Sequence, residues 1–423
     1  MSEDLDLYQD PSARAVGYTE RILQDAIIRQ VSDIHMQWTA KGVVVRFRES
    51  GLLVDYEQLS SDVGRKVISH LKVLANMNIA DRRRPQDGRI IYHLNERSVD
   101  LRLATAATLY GENLTMRVFD KSASYRRIEQ LGLEPSDLER VKNLVRSPHG
   151  LVLVTGPTGA GKTTTLYGLL EYLNDTSKNI ITVEDPIEYD IDRVNQISVN
   201  RPIGLDYAAI LRSVFRHDPD IIMIGEIRDP ESALIAVRAA LSGHLVFATL
   251  HTGSALGAFT NLVQLGVSPY LASSALLGVI TQQLIRATCS HCRERYEFPL
   301  ESLAPVERRE YEMAMECEGV LPGASPSFAV GVGCEQCRGT GFSGRLGLFE
   351  IFEVSPKARE ALASGAPRSR LETIARANGW RSLQLAGFCK IVRGEATIEE
   401  VLRVVHLETE ADVVETQLEQ PAR

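Results

Sequence analysis

Apolar and polar positions divide this chain into stretches of different period. Residues 1–18 are polar and mixed, and are expected to be a disordered N-terminus. From Thr19 the spacing of Ile22, Leu23, Ala26 and Ile27 predicts a helix. Val43-Val44-Val45-Arg46-Phe47 predicts a strand. Val63 to Met77 predicts a helix with Val67, Ile68, Leu71, Leu74 and Ala75 inward. Pro85-Gln86-Asp87-Gly88-Arg89 reads as a turn, followed by two alternating strands. In the second, Val99, Leu101 and Leu103 alternate with Asp100 and Arg102, and a last strand, Leu114 to Phe119, carries Arg117. Together these predict a small α/β domain over 19–119. The charged and polar residues 120–131 predict a linker.

From 132 to 407 the pattern changes to strands alternating with helices. Leu151 to Thr155 is an apolar run expected to be a buried strand. A helix follows, with Leu166, Leu169, Leu170 and Leu173 on one side. Ile180 to Val183 is a strand ending in Glu184-Asp185, and Ile221 to Ile224 one ending in Gly225-Glu226. Leu245 to Leu250 ends at His251. Such alternation predicts a mostly parallel sheet covered on both faces, with ligands beyond the carboxyl ends of its strands. Residues 287–350 are cysteine-bearing and rich in loops. Residues 355–407 predict short helices, with a capping-box pattern at Thr397-Ile398-Glu399-Glu400. The acidic tail, 408–423, is expected to be disordered.

Composition narrows the function. The 423 residues suffice for two to four domains, and 44% hydrophobic with 24% charged is ordinary globular content. A net charge of −8 argues against nucleic acid as the main partner and against non-specific adhesion to an anionic membrane. Arg82-Arg83-Arg84 is a local exception. No apolar run is long enough to span a bilayer, and the acidic start Met-Ser-Glu-Asp-Leu-Asp does not read as a signal peptide. The expected compartment is the cytoplasm, where cysteines are metal ligands or thiols more often than disulfides.

The chemistry concentrates after the first buried strand. Gly156-Pro157-Thr158-Gly159-Ala160-Gly161-Lys162-Thr163-Thr164 fits Gly-x-x-x-x-Gly-Lys-Thr between a strand and a helix, the phosphate-binding P-loop. Glycines turn backbone N–H groups toward one point, and the helix N-terminus adds partial positive charge. Lys162 is the candidate ligand of the β- and γ-phosphates, and Thr163 of Mg²⁺. Glu226 is the candidate for activating or orienting water; the alternative is a strand-end ion pair with Arg228. Glu184, Asp185 and Glu188 are candidate acidic partners, or turn carboxylates before Pro186. His251 stands where an imidazole can sense the γ-phosphate, whereas His244, at the other end of its strand, is as readily structural. Cys289-x-x-Cys292 and Cys334-x-x-Cys337 have the spacing of one tetrahedral, structural Zn²⁺ site; Cys317 and Cys389 lack partners. Arg84, Arg89, Arg102 and Arg117 read as surface charges or as arginines reaching a neighbouring subunit's ATP.

Four runs in order sharpen this picture. They are the P-loop, Ile-Thr-Val-Glu-Asp-Pro-Ile-Glu-Tyr, Asp-Pro-Asp-Ile-Ile-Met-Ile-Gly-Glu-Ile-Arg-Asp and Ser-Gly-His-Leu-Val-Phe-Ala-Thr-Leu-His-Thr. They resemble the Walker A, Asp box, Walker B and His box of the ATPases of type II secretion and type IV pilus assembly (GspE/PilB-like). The resemblance covers about 19–407, including Ser32-Asp33-Ile34-His35, Arg83 to Arg89 and Gly111-Glu112. The cysteine pairs resemble the assembly and secretion branch rather than the retraction branch. The usual Asn after His-Thr is Gly253, an expected Arg is absent near Asn261, and Met36-Gln37-Trp38 replaces a commoner Ile-Glu-Pro.

The resemblance implies a PAS-like α/β N-terminal domain and a RecA-like P-loop ATPase domain with an inserted zinc-binding segment and C-terminal helices. It implies a homo-hexamer that hydrolyses ATP with Mg²⁺ and works peripherally on an inner-membrane platform. It assigns Glu184, Glu188, Glu226 and His251 to the site, and Arg89 and Arg102 to the arginines that reach ATP. Two rivals are a RecA-like nucleic-acid translocase, against which the net charge speaks, and a non-hydrolysing nucleotide-dependent scaffold, against which Glu226 and the acidic box speak.

Overall fold

In the computed structural model, which describes residues 11–95, 97–120, 126–297, 299–320 and 327–405, the chain divides into two units, Met1–Ser124 and Tyr125–Arg423. The first contains α1 (Pro11–Ile28), β1 (Asp33–Thr39), β2 (Gly42–Glu49), β3 (Leu52–Leu59), α2 (Ser61–Leu74), β4 (Gln86–Leu94), β5 (Arg97–Ala107) and β6 (Glu112–Asp120). Its strands form one antiparallel sheet in the order β3-β2-β1-β6-β5-β4. Alternation places Ile34, Met36, Val45, Phe47, Leu101, Leu103 and Met116 in a core shared with Ile22, Leu23 and Ile27 of α1 and Val67, Ile68 and Leu71 of α2. Residues directly opposite one another share a face, so Arg89, Arg102, Arg117 and Asp33 form a row across four strands.

Three expectations change here. Helix α1 starts at Pro11, inside the stretch expected to be disordered, because Ala15 and Tyr18 continue its apolar stripe into the core. Residues 1–10 and the tail 408–423 lie outside the described residues. The turn expected at Pro85–Arg89 is instead the start of β4. Gly88 serves close packing: a Cβ there would come within 2.8 Å of Ala75 and Met77. The expected linker also carries a packed end. Ile128 and Leu131 are buried in the second unit's core together with Leu166 and Tyr167.

The second unit contains α3 (Pro135–Val145), β7 (Gly150–Thr155), α4 (Lys162–Leu173), β8 (Ile180–Glu184), β9 (Val194–Ser198), α5 (Tyr207–Val214), β10 (Ile221–Ile224), α6 (Pro230–Leu241), β11 (Leu245–Leu250), α7 (Ala255–Gln264) and α8 (Pro269–Ala275). It continues with β12 (Leu276–Thr288), β13 (Arg293–Glu297), α9 (Pro305–Cys317), β14 (Ser327–Gly331), β15 (Phe342–Glu353), α10 (Pro356–Ala363), α11 (Arg368–Ala377), α12 (Leu383–Val392) and α13 (Ile398–Val404). Seven strands make one sheet in the order β15-β12-β7-β11-β10-β8-β9, parallel throughout except for the β12–β15 pair. Strands β7, β8, β10 and β11 are buried at every position. One face packs on α5 to α8, α10 and α11, the other on α3 and α4.

Residues 287–350 carry more regular structure than the loop-rich segment expected. β12 and β15 form a long antiparallel pair inside the main sheet, and α9, α12 and α13 close a third core over it with Ile285, Phe328 and Leu348. The capping box at Thr397 is half realised. Thr397 Oγ1 accepts from the Glu400 amide at 3.2 Å. The Glu400 carboxylate instead takes the Arg286 amide and Nε, both at 2.9 Å, and Nε and Nη2 of Arg403 at 3.0 and 2.7 Å.

Burial alone would raise the Glu400 carboxyl, but the hydrogen bonds from Arg403 and Arg286 win and hold it down at about 2. Its contribution to stability is therefore full above the ordinary 4.5 and is lost as pH falls toward about 2. Glu400→Gln should cost about 3–5 kcal/mol near neutral pH. It should also remove this part of the acid-induced fall in Tm. Thermal unfolding across the acid range checks both; identical acid limbs in the two proteins would contradict the assignment.

Candidate active site

The P-loop leaves the carboxyl end of β7 and enters α4. Gly156, Gly159 and Gly161 take φ values of 145°, 81° and 88°, and Gly161 caps the helix. Pro157, Thr158 and Gly159 form the exposed tip, while Ala160 is buried. Gln282 of β12 fixes the loop from beneath, donating Nε2–H to the Ala160 carbonyl at 2.7 Å. Lys162 Nζ donates to the carbonyls of Gly156 and Pro157 at 2.8 and 3.0 Å. Burial lowers the Lys162 pKa, with the charge of Glu226 opposing.

A chain of polar contacts runs outward from Lys162. Its Nζ is 3.4 Å from His251 Nδ1. An ammonium can only donate, so Nδ1 accepts and Nε2 carries the ring proton. That Nε2 lies 3.4 Å from Glu226 Oε2, which also takes Arg228 Nε at 2.6 Å. Glu226 therefore engages both the sequence-predicted Arg228 pair and the P-loop lysine's neighbour. Gly225 explains why no aspartate precedes it. A Cβ there would sit 2.9 Å from the Tyr207 hydroxyl and 3.2 Å from the Val183 carbonyl.

The Asp-box residues part company. Glu188 Oε1 lies 3.4 Å from Thr163 Oγ1, beside the P-loop. Asp185 pairs with Arg201 at 2.8 Å. Glu184 is buried at 3% exposure and faces inward. It accepts from the Tyr167 hydroxyl, from Thr182 Oγ1 at 2.6 Å and from Gln196 Nε2 at 3.0 Å. Tyr167 in turn accepts from the Glu188 amide at 3.3 Å. Glu184 thus reaches the Thr163 edge through Tyr167. Burial, with Glu184's charge and hydrogen bond, pushes the Tyr167 hydroxyl up, so it stays a donor. His244 is at the amino end of β11, with Nδ1 3.0 Å from the Ala239 carbonyl at the end of α6, a capping position.

Cys289, Cys292, Cys334 and Cys337 converge, all four sulfurs within 4.8 Å of one another. The Cys289–Cys334, Cys292–Cys337 and Cys334–Cys337 separations are 3.9, 3.7 and 3.7 Å. A tetrahedral ion with Zn–S near 2.3 Å needs sulfurs about 3.8 Å apart. Amides of Gly333, Cys334 and Gly341 point at Cys292 and Cys337 sulfurs at 3.1–3.3 Å, the donors a thiolate requires. The four residues fit a closed zinc site.

In the first unit, Arg89 makes a bidentate pair with the buried Asp100, at 2.8 and 2.7 Å. Arg102 lies over the Phe119 ring at 4.5 Å, and Arg117 pairs with Asp33 at 3.2 Å.

A family model described as type II/IV secretion system protein matches residues 9–403. The chain belongs to this family. Type II secretion system protein E of Pseudomonas aeruginosa is 41% identical over 407 residues, covering 96% of this chain and 78% of that protein. Type IV pilus assembly ATPase PilB of Thermus thermophilus is 41% identical over 393 residues, covering 93% of this chain and 43% of that one. Among solved structures, the Legionella pneumophila ATPase DotB superposes with a TM-score of 0.67 at 19% identity, over 92% of this chain and 95% of that one. The chain is an ATPase of the type II secretion and type IV pilus assembly family.

In this ATPase, several residues around the P-loop carry weak sequence signals. Gln282 stands in an apolar run, where a buried polar side chain implies a partner. Tyr167 sits on the apolar side of α4 and looks like core. Gln196 joins Glu184 to the Tyr189 carbonyl, at 3.0 and 2.9 Å, and nothing in its sequence context marks it. Tyr167→Phe should leave Glu184 one donor short and cost about 1–3 kcal/mol of stability. It should lower kcat, because Tyr167 also accepts from the amide of Glu188 beside Thr163, while leaving ATP affinity near wild type. Urea unfolding and steady-state kinetics check this; an unchanged kcat would show that the Glu184 network does not reach the site.

Proposed function

We propose that this ATPase hydrolyses ATP at the carboxyl edge of the seven-stranded sheet and uses the energy to drive assembly of a pilus or pseudopilus. The single observation that carries the proposal is the continuous contact chain Lys162–His251–Glu226–Arg228, which starts at the phosphate-binding loop. In this reading Gly156 to Thr164 wrap the phosphates with backbone amides, and Lys162 swings from the loop carbonyls to the β- and γ-phosphates. Thr163 and Glu188 would hold Mg²⁺, whose charge offsets that of the phosphates. Glu226, held in place by Arg228, orients and deprotonates the attacking water. His251 lies between Lys162 and Glu226 and reports the γ-phosphate to both. Glu184 acts as a positioning residue behind Tyr167. Arg89 and Arg102 are proposed as further charge for the phosphoryl group, on the strength of the family resemblance. The same resemblance supports a homo-hexamer working on an inner-membrane platform from the cytoplasmic side. No helix among the described residues is long and apolar enough to cross a membrane.

The four cysteines are proposed to hold one structural Zn²⁺ that ties the start of β13 to the approach of β15. Metal analysis of the purified chain should find about one zinc per chain. Cys334→Ser should lower both zinc content and Tm; a metal-free protein of unchanged Tm would rule the site out.

Glu226→Gln should reduce ATP turnover by about 10²–10⁴ while nucleotide binding persists, the range a general base contributes. Steady-state hydrolysis with a fluorescent-nucleotide titration separates the two. Residual turnover within a few-fold of wild type would move the water-activating role elsewhere.

A further inference from the structure

Glu350 lies on β15, opposite Thr281 of β12, and is 4% exposed. Thr281 stands opposite Thr155, the last residue of the P-loop strand, with the two hydroxyl oxygens 2.8 Å apart. The same row continues to Leu250, the residue before His251. A carboxylate this deep needs compensation, and it comes from two helix ends. Glu350 Oε1 accepts from the Ala255 amide at 3.1 Å, and the Leu383 amide also hydrogen-bonds to the carboxyl.

Ala255 and Leu383 are the first residues of α7 and α12, directly behind the caps Ser254 and Ser382. First-turn amides have no intrahelical acceptor and carry partial positive charge. One carboxylate therefore closes two helix N-termini at once. The two helices belong to different layers. Helix α7 follows the turn that begins at His251. Helix α12 packs on α9 in the third core, where Leu385 and Phe388 join Ile285 and Tyr311.

Burial raises the Glu350 carboxyl to about 7, with the Ala255 amide, Arg368, the Leu383 amide and Trp380 pulling the other way. Arg368 of α11 is the charged group that bears on it. Helix α7 carries no titratable side chain. On α12, Lys390 pairs with Glu134 and Glu395, and the thiol of Cys389 is pushed up by burial.

We infer that Glu350 is a positioning residue for ATP hydrolysis, fixing the His251 turn to the α12 layer through the two helix N-termini; this rests on the role proposed for His251. The ionised carboxylate is the better acceptor for two N–H groups, so the grip weakens on protonation. The test compares wild type, Glu350→Gln and His251→Ala as full chains, in ATP hydrolysis across pH 6 to 9. Wild-type kcat should fall as pH drops through about 7. Glu350→Gln should lower kcat at pH 8 by about tenfold to a hundredfold, as a displaced group does. It should leave KM for ATP near wild type and lack the acid limb. A merely structural role would change Tm without removing that limb.

Wild-type kcat and pH profile in Glu350→Gln, with His251→Ala inactive, would overturn this inference alone. A fully active His251→Ala would overturn the His251 role, and this inference with it. Should Glu350→Gln fail to fold, Glu350→Asp serves: it keeps the charge but shortens the side chain by one methylene, drawing the carboxylate away from the two helix ends. A kcat lowered as in the first variant supports the proposal, and an unchanged one overturns it.

Discussion

A parallel sheet buried on both faces can present charge only at its ends. Strands β7, β8, β10 and β11 are buried at every position and mostly apolar, and their backbone groups are used up in the ladder. Polar chemistry is thereby pushed to the carboxyl edge, where the following helices also point their N-termini. The P-loop, Glu184, Glu226 and His251 all follow the last apolar residue of a strand for this one reason. The same constraint sets their electrostatics. Lys162 is desolvated enough to lose part of its preference for the charged form, and only the nearby Glu226 opposes that.

Carboxylates that enter the interior survive by being fully engaged. Glu184 has a tyrosine, a threonine and a glutamine; Glu400 has two arginines; Glu350 has two helix ends. Removing one donor from such a group costs more than the pair is worth, because the charge stays buried. These three sites are also where distant segments meet. Glu400 joins α13 to β12, Glu350 joins α7 to β15, and Glu184 joins α4 to β8 and β9. Polar cross-links of this kind, laid over the apolar cores, tie distant segments of the second unit together.

Local signals in the sequence marked the candidate site residues because each is local. The P-loop, the strand-end acids and the cysteine pairs lie within a few residues of their own punctuation. Signals that depend on partners far along the chain were read wrongly. Gly88 looked like a turn because glycine marks both reversal and close approach, and only Ala75 and Met77 decide between them. The loop-rich reading of 287–350 failed because β12 and β15 pair across the whole cysteine segment, so neither shows its partner locally. Ala15 and Tyr18 were lost in a polar stretch too sparse to show a stripe. Glu184 had the right position but the opposite orientation. Successive strand side chains point to opposite faces, so Glu184 shares a face with the buried Thr182 and hydrogen-bonds to it inside the sheet instead of facing the edge.

The glycine before Glu226 bears on how the proposed work is divided. A Cβ at position 225 would meet the Tyr207 hydroxyl at 2.9 Å and the Val183 carbonyl at 3.2 Å, so packing disfavours an aspartate there. The acidic group beside Thr163 comes instead from the loop after β8, as Glu188. Glu226 is left with Arg228 and His251, on the Lys162 side of the loop. Separating the two carboxylates in this way lets each hold a different electrostatic role. One sits beside the threonine that would meet the metal. The other, the proposed base, is held by Arg228 and faces His251.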